Sequence, residues 1–492
     1  MSIKNKKTNC TIFLFVIILA IFVYLFYSIK KANTPLNVIL ISVDTLRADH
    51  MGIYGYKKNT TPNIDKWAKD ATVFTNVYVT DPYTYPSFVS FMTGLHPLST
   101  KIITNGKGPL IGSKTQTLTK ILKQNNYSTT AYITNGWLGP QFSNLNEGFD
   151  EYHVFDDNNF LWKTKNRRKN YDDFINKAIL SLEKNISKKQ FLWIHLMDPH
   201  WPYYPPDDLR CSFLTKEECI QAQGKTMLEI ISKDKDYYRC SSKEMPKSQL
   251  DLHKGLYDGD VTQADKLVGK ILNKIQSLGL EKNSMVILYS DHGEGLDHKF
   301  YLTHGGVLYN SNTHIPLIIK YPQVRTITNK DNRLIDNTDI FPTILDLLGM
   351  RKKELLIDGK SFSAAFKKTM LDMLASKFWL RKQIFSTDYN GMKFSLFDGR
   401  YKYIYSQKTS CLFNNQTEEL YDLKQDPQEN KNLVVTRHLL AGKMKNILFN
   451  HLQRYNYPQP EKVQKLNNTF NDNNAIPALN NKILEQLKSL GY

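Results

Sequence analysis

The stretch Asn37-Val-Ile-Leu-Ile-Ser-Val-Asp44 limits the possible folds of this chain more than any other. Apolar at nearly every position, it has no polar face to offer water and reads as a strand buried on both sides. A strand of that kind needs helices above and below it, and the chain supplies them. Helical patterns at Pro62 to Asp70, Leu118 to Asn125, Phe174 to Lys184, Lys254 to Leu278 and Ile340 to Leu348 alternate with extended segments. The extended segments are Thr129 to Thr134, Phe191 to Met197, Ser284 to Ser290 and His314 to Tyr321. This alternation predicts an α/β fold whose mostly parallel sheet lies between helices. Further on, Phe394 to Tyr405 carries Asp398-Gly399 between apolar halves, a hairpin signal. With Glu419 to Leu423 it predicts a small C-terminal antiparallel sheet.

Chemistry-bearing residues gather at the ends of these strands, where open α/β sheets place their sites. Asp44 closes the first strand, and Asp291-His292 follows the strand Ser284 to Ser290, with Gly293 and Gly295 keeping the turn tight. The run His195 to His200 follows Phe191 to Met197. In Thr84-Tyr-Pro-Ser-Phe88, Pro86 suits a first helical turn and Gly94 suits the helix end. Thr84 is then expected just outside a helix N-terminus, where backbone donors favour an anion. A hydroxyl there is a candidate nucleophile if its pKa is lowered, or else simply a helix cap. Two carboxylates, an imidazole and this hydroxyl could share one divalent metal ion. An all-oxygen cage suits Ca²⁺ or Mg²⁺, and an imidazole ligand shifts the preference to Mn²⁺ or Zn²⁺. His298, His304 and His314 fall close together, whereas His253 and His438 are expected on the surface.

Length and composition bound the rest. A chain of 492 residues suggests about two to four domains, and 41% hydrophobic content is enough for a sizeable core. The net charge of +18 is spread along the chain without a zinc finger, helix-turn-helix or RNP-like motif, so nucleic acid is not the expected partner. Cys10 to Ile29 is a run of 20 residues without a charge, long enough to cross a bilayer. Lys4, Lys6 and Lys7 precede it and no small-residue cleavage site closes it, so a signal anchor is expected, with the catalytic part outside the cytosol. Four cysteines follow the anchor, and among the three possible connectivities Cys211 with Cys219 is preferred. The boundaries drawn are residues 1–36 for the cytosolic tip, transmembrane helix and linker, 37–377 for the catalytic domain, and 378–492 for a C-terminal subdomain. An insertion is expected at 202–245.

At this point the motifs resemble those of the sulfatase family, within the alkaline phosphatase superfamily. The likeness runs in order through Asn37 to Gly55, Thr61-Pro-Asn-Ile-Asp65, Phe74-Thr-Asn-Val-Tyr78 and Pro86-Ser87…Thr93-Gly-Leu-His-Pro97. It continues through Asp198-Pro-His-Trp-Pro-Tyr203, Tyr257-Asp-Gly-Asp260, Ser290-Asp-His-Gly-Glu294, His304-Gly-Gly306, Ile315-Pro-Leu-Ile-Ile319, Leu420 to Leu433 and the closing Leu-Gly-Tyr492. The resemblance implies an alkaline-phosphatase-like fold and a metal held by Asp44, Asp291, His292 and Thr84. It also implies that His200 and His304 hold substrate oxygens or protonate the leaving group, with His298 a further candidate for that role.

Several positions depart from the family pattern. Sulfatases resembling this chain carry Cys or Ser where Thr84 stands, and that residue is oxidised to formylglycine. Threonine cannot give the aldehyde, because its β-carbon bears a methyl group. The family has Arg where this chain has Phe88, and a pair of aspartates where it has Asp44-Thr45. The Asp, Thr, Asp, His set looks more like the superfamily's phosphoryl and phosphonate branches. The expected function is therefore metal-dependent hydrolysis of an anionic ester at a membrane surface, with Thr84 as nucleophile. Phosphate or phosphonate hydrolysis, or phosphoryl transfer, is favoured on chemistry. The alternatives are a sulfuric ester hydrolase that works without formylglycine, and an inactive anion-binding relative.

Overall fold

The computed structural model describes residues 36–457 except 106–108, 156–164, 185–187, 224, 226–228, 230–244, 298–299, 323–329, 367–380, 389–390 and 408–416. The apolar segment Cys10 to Ile29, His298, Cys240 and Cys411 all lie outside the described residues. Among those described, no helix is long and apolar enough to cross a membrane.

Eight strands form the main sheet: β1 (Asn37–Val43), β2 (Thr72–Tyr78), β3 (Ser128–Ile133), β4 (Glu151–Val154), β5 (Gln190–Leu196), β6 (Ser284–Tyr289), β9 (Leu317–Lys320) and β10 (Lys330–Asp336). A short hairpin pairs β7 (Gly295–Asp297) with β8 (Phe300–Thr303). The main sheet runs in the order β10-β2-β9-β6-β1-β5-β3-β4. Of these eight strands, β9 alone runs against the rest. β1 is central, parallel to both β5 and β6.

All seven residues of β1 are buried. Its alternate side chains feed two cores. Ile39, Ile41 and Val43 face one, with the helices Lys165–Lys184 and Lys247–Ser277, and Val38 and Leu40 face the other, with the helix Thr84–Thr93. The continuous apolar run thus has its physical reason in a sheet covered on both sides. His253 lies inside the long helix and is buried against Tyr203, contrary to its expected surface position, while His438 is exposed.

The second sheet is an antiparallel meander of β11 (Ile384–Thr387), β12 (Lys393–Phe397), β13 (Tyr401–Ser406) and β14 (Glu418–Asp422). Asp398-Gly399 makes the expected β12–β13 turn, with Gly399 at φ +95°. The helix His438–Gln453 covers one face of this sheet. The meander is tied to the catalytic core where Thr387 N donates to Thr80 O at 2.8 Å. Cys211 and Cys219 are joined by a disulfide, the preferred pairing.

Candidate active site

The site lies at the carboxyl edge of the main sheet, over β1, β3, β5 and β6. Asp44 is the residue after β1, and its amide donates to Leu196 O at 2.9 Å, continuing the β1–β5 ladder by one rung. Asp291 and His292 follow β6. The helix Thr84–Thr93 brings its N-terminus to them and is fastened there by Ser87, whose Oγ donates to Asp291 O at 2.7 Å. Every residue of this helix is buried, and Gly94 at φ +68° ends it. Thr84 is the first helical residue, one position further in than the sequence suggested, and the N-cap position falls to Tyr83. Thr84 Oγ1 points into the site, 3.2 Å from His292 Nε2.

The two carboxylates are held in the same way. Asp291 Oδ1 accepts from the amides of Thr45 at 3.2 Å and His292 at 3.0 Å, and Asp44 Oδ2 accepts from Asn135 Nδ2 at 2.7 Å. The other oxygen of each, Asp44 Oδ1 and Asp291 Oδ2, is buried and finds no hydrogen-bond partner among the described residues. His292 Nδ1 lies 2.9 Å from the Gly293 carbonyl, which can only accept, so Nδ1 carries the proton and Nε2 presents a lone pair. That nitrogen is 3.5 Å from Asp291 Oδ2 and 3.9 Å from Asp44 Oδ1. Two orphaned carboxylate oxygens and an imidazole lone pair, all within 4.8 Å of one another, fit a divalent cation.

The electrostatics agree. Burial opposes charge on Asp44, yet the His195 contact and the imidazoles of His200 and His292 hold its carboxyl below the usual range. Burial, and then the charge of Asp44, push Asp291 well above it. Two carboxyls this close share one negative charge unless a cation joins them.

His304 and His200 flank this centre. The His304 ring is centred 4.3 Å from that of His292 and 4.9 Å from that of His200. His200 turns its Nδ1 to the Trp201 carbonyl, and burial lowers its pKa to about 4. Behind them lies Glu294, fully buried, which receives Trp201 N on Oε2 at 3.2 Å and faces His304 Nδ1 with Oε1 at 3.2 Å. Burial raises the Glu294 carboxyl. His314 is elsewhere, with Nε2 2.9 Å from Thr75 O.

Glu294 and Asn135 are the site residues that sequence reasoning gave no role. Asn135 follows β3, spans Asp44 and Thr84 Oγ1 at 2.7 and 3.5 Å, and has its amide orientation fixed by accepting from Trp137 N at 2.9 Å. Its position at a carboxyl strand end was the available signal, masked by an Asn-Gly pair that reads as a turn. Of the departures, Phe88 packs on Trp193 and against the edge of His195, with ring centres 4.8 and 5.4 Å apart. Thr45 takes the left-handed conformation at φ +54°, unusual for a β-branched residue, and its Oγ1 is also without a partner among the described residues.

An arrangement like this, under a covered parallel sheet, is that of a metal-dependent ester hydrolase. Comparison with known proteins agrees: residues 36–350 match the sulfatase family, and residues 297–457 match the C-terminal part described for N-sulphoglucosamine sulphohydrolase. The chain belongs to the sulfatase family. It is 25% identical over 473 residues to the N-acetylgalactosamine-6-O-sulfatase of Bacteroides thetaiotaomicron, covering 82% of this chain and 90% of that one. It is 23% identical over 458 residues to YidJ, an uncharacterised sulfatase of Escherichia coli K12, covering 86% and 88%. The phosphonate monoester hydrolase of Agrobacterium radiobacter shares the fold with a TM-score of 0.67 at 18% identity, covering 85% of this chain and 96% of that one. A structure bound to its substrate, D-glucosamine-2-N,6-O-disulfate, superposes with a TM-score of 0.66 at 18% identity, covering 87% and 99%. The family is metal-dependent, in keeping with the cation-ready centre.

Proposed function

We propose that Thr84 is the nucleophile of this hydrolase and that its preferred substrates are phosphate or phosphonate esters, cleaved by water or passed to an acceptor alcohol. The observation that carries this reading is the placement of Thr84 Oγ1 beside His292 Nε2, the nitrogen that faces the two orphaned carboxylate oxygens. An unmodified hydroxyl at that point suits a phosphorus centre, whose threonyl ester water can hydrolyse. A threonyl sulfate would lack the release route that formylglycine provides.

Asp44, Asp291 and His292 would hold the cation, Mn²⁺ or Zn²⁺ ahead of Ca²⁺, and bound there it supplies positive charge that lowers the Thr84 pKa and neutralises the ester's oxygens. Thr84 Oγ1, its proton released to water as its pKa falls, then forms its bond to phosphorus as the bond to the leaving oxygen breaks on the far side. Asn135 Nδ2 holds the Thr84 oxygen in place. His304, backed by Glu294, is placed to give the leaving oxygen its proton. His200, its Nδ1 occupied by the Trp201 carbonyl, offers Nε2 as the acceptor that activates the second nucleophile. That nucleophile gives its proton to His200 and displaces Thr84, which leaves as the alkoxide in which it attacked.

A second reading, a sulfuric ester hydrolase working without formylglycine, is favoured by the sulfatases among its relatives. The phosphonate hydrolase of like fold favours the first. We also propose that Cys10 to Ile29 anchors the protein with its catalytic part outside the cytosol, which protease protection of membrane vesicles tests directly. For the chemistry, nitrophenyl phosphate, phosphodiester, phosphonate and sulfate are compared on the wild type and Thr84→Ala. Phosphorus-ester turnover that disappears in Thr84→Ala supports the proposal. Sulfate turnover that survives the substitution overturns it.

A further inference from the structure

A line of buried polar side chains runs from Trp193 on β5 to Asp44 at the end of β1. Ser42 on β1 and His195 on β5 are register neighbours in parallel strands, so their side chains share one face of the sheet. Trp193, two residues before His195, shares that face too. Trp193 Nε1 lies 2.8 Å from Ser42 Oγ, and Ser42 Oγ lies 3.0 Å from His195 Nδ1. His195 Nε2 faces Asp44 Oδ2 at 3.3 Å. Ser42, His195 and Asp44 are completely buried, with Trp193 as closed off as they are, so bulk solvent does not reach these groups.

Donor and acceptor roles along this chain follow from one end. An indole N–H can only donate, so Ser42 Oγ accepts from Trp193. The Ser42 proton needs an acceptor in this buried position, and His195 Nδ1 is the one at hand. An imidazole that accepts at Nδ1 carries its proton at Nε2, and that N–H faces Asp44 Oδ2. The contact is close but poorly aligned for a hydrogen bond, and Nε2 has no hydrogen-bond partner among the described residues. Asn135 Nδ2 donates to Oδ2 at 2.7 Å and the His195 N–H adds its electrostatic pull on the same oxygen, leaving Oδ1 turned to Asp291 and His292. Phe88, packed on both Trp193 and His195, helps to close this line off from bulk solvent.

We infer that Trp193 and Ser42, through their hydrogen bonds, orient His195 so that its Nε2–H faces Asp44 Oδ2, and that this relay positions Asp44 as a one-oxygen cation ligand and sets the affinity of the site for its divalent ion. The inference rests on the reading that Asp44, Asp291 and His292 hold a cation. Neither Ser42 nor Trp193 reaches the reacting atoms, and His195 acts only through Asp44, so all three are positioning residues. The opposite polarity, with the His195 proton on Nδ1, would instead leave an Nε2 lone pair against a carboxylate and make His195 a competing ligand.

Two measurements on the full chain decide the matter. Long-range proton–nitrogen NMR with ¹⁵N-histidine reads which nitrogen of His195 is protonated, with His195→Gln giving the assignment. Calorimetric titration with Mn²⁺ reads the affinity of the wild type, Ser42→Ala, Ser42→Thr and Thr84→Ala. The expected result is a proton on His195 Nε2, and Mn²⁺ binding weakened about 10- to 100-fold in Ser42→Ala, the range typical of partners that orient a metal ligand. Ser42→Thr, which keeps the hydroxyl, should restore most of that loss. A proton on Nδ1, or Ser42→Ala binding Mn²⁺ as tightly as wild type, overturns the relay. Thr84→Ala separates the two levels: lost turnover with cation affinity retained within a few-fold supports the nucleophile, whatever Ser42→Ala shows. A wild type that binds no Mn²⁺ fails the cation reading, and the relay with it.

Discussion

Thr84 Oγ1 stands 3.2 Å from His292 Nε2, while the other nitrogen of that ring is engaged by the Gly293 carbonyl at 2.9 Å. The hydroxyl therefore meets the lone pair of a nitrogen that itself lies 3.5 and 3.9 Å from the two unpartnered carboxylate oxygens, with no competing donor on the ring. Thr84→Ala should lower kcat/KM for the best phosphorus ester by about three orders of magnitude or more, whereas Thr84→Ser should keep a substantial part of the activity. Steady-state kinetics on both variants check this. Comparable losses in the two would mean that the γ-methyl group, and not the hydroxyl, is what the site requires.

The orphaned oxygens of Asp44 and Asp291 make a second expectation. Without a cation they repel each other in a buried site, so a bound cation should stabilise the fold. Saturation at about 100 times Kd corresponds to about 2.7 kcal/mol of stabilisation. Thermal unfolding with added Mn²⁺, and after chelation, measures the effect. Asp291→Asn should abolish the response without lowering the Tm of the chelated protein. A variant that still gains stability from Mn²⁺ would place the cation elsewhere.

The parts of this picture that could be read from sequence are those set by local pattern. Asn37 to Asp44 and Ser284 to His292 announce themselves because strands buried on both faces must be apolar, and a charged residue at their end stands out. Pro86 and Gly94 fixed the helix that carries Thr84 for the same local reason. What escaped depends on contacts between distant segments. Asn135 reaches Asp44 across 91 residues of sequence, and nothing within its own turn shows which strand ends beside it. β2 and β10 were not recognised as strands, since both mix polar residues into the run and owe their place to pairing with each other and, for β2, with β9. His253 is buried because Tyr203 covers it, a partner 50 residues away in sequence.

Glu294 touches both sides of the site, with Oε1 on His304 Nδ1 and Oε2 on Trp201 N, each at 3.2 Å. A carboxylate behind a histidine fixes the ring's orientation and tautomer. Glu294→Gln keeps the size and one acceptor but weakens this hold, so kcat should fall about 10- to 100-fold. Mn²⁺ affinity should stay within a few-fold of wild type, because Glu294 is not among the three cation-ready residues. Kinetics and calorimetry on the same preparation separate the two effects. Equal losses of kcat and affinity would assign Glu294 to the cation site itself.

Gly293 shows how little room the loop after His292 has. A Cβ there would lie 1.9 Å from Ser311 O, a backbone atom that cannot swing aside, while Gly293 N donates to Asn312 O at 2.9 Å. Gly293→Ala should therefore displace His292 and destabilise the protein by about 3 kcal/mol or more. Both losses, of Tm and of Mn²⁺ binding, are read by thermal unfolding with and without the ion. A variant with the wild-type Tm and Mn²⁺ response would show that the loop yields more easily than this contact allows.

Asp388 gives the stability of the protein a pH dependence away from the active site. Burial pushes its carboxyl up to about 7, although the amides of Met392 and Lys393 both donate to Oδ1 at 2.8 Å. Its buried neighbour Asp81 is raised as well, by burial and then by the charge of Asp388. The unfolded value is about 3.9, so the folded protein holds the Asp388 proton more tightly than the unfolded chain does. The contribution to stability is then complete below about pH 4, declines as the pH rises, and is lost above about pH 7. Asp388→Asn cannot ionise and keeps an oxygen for the two amides. The Tm of the wild type minus that of Asp388→Asn should therefore fall steadily between pH 5 and pH 8. A difference that stays flat across this range would mean that Asp388 is already ionised in the folded protein at pH 5, with Lys393 rather than a proton balancing its charge.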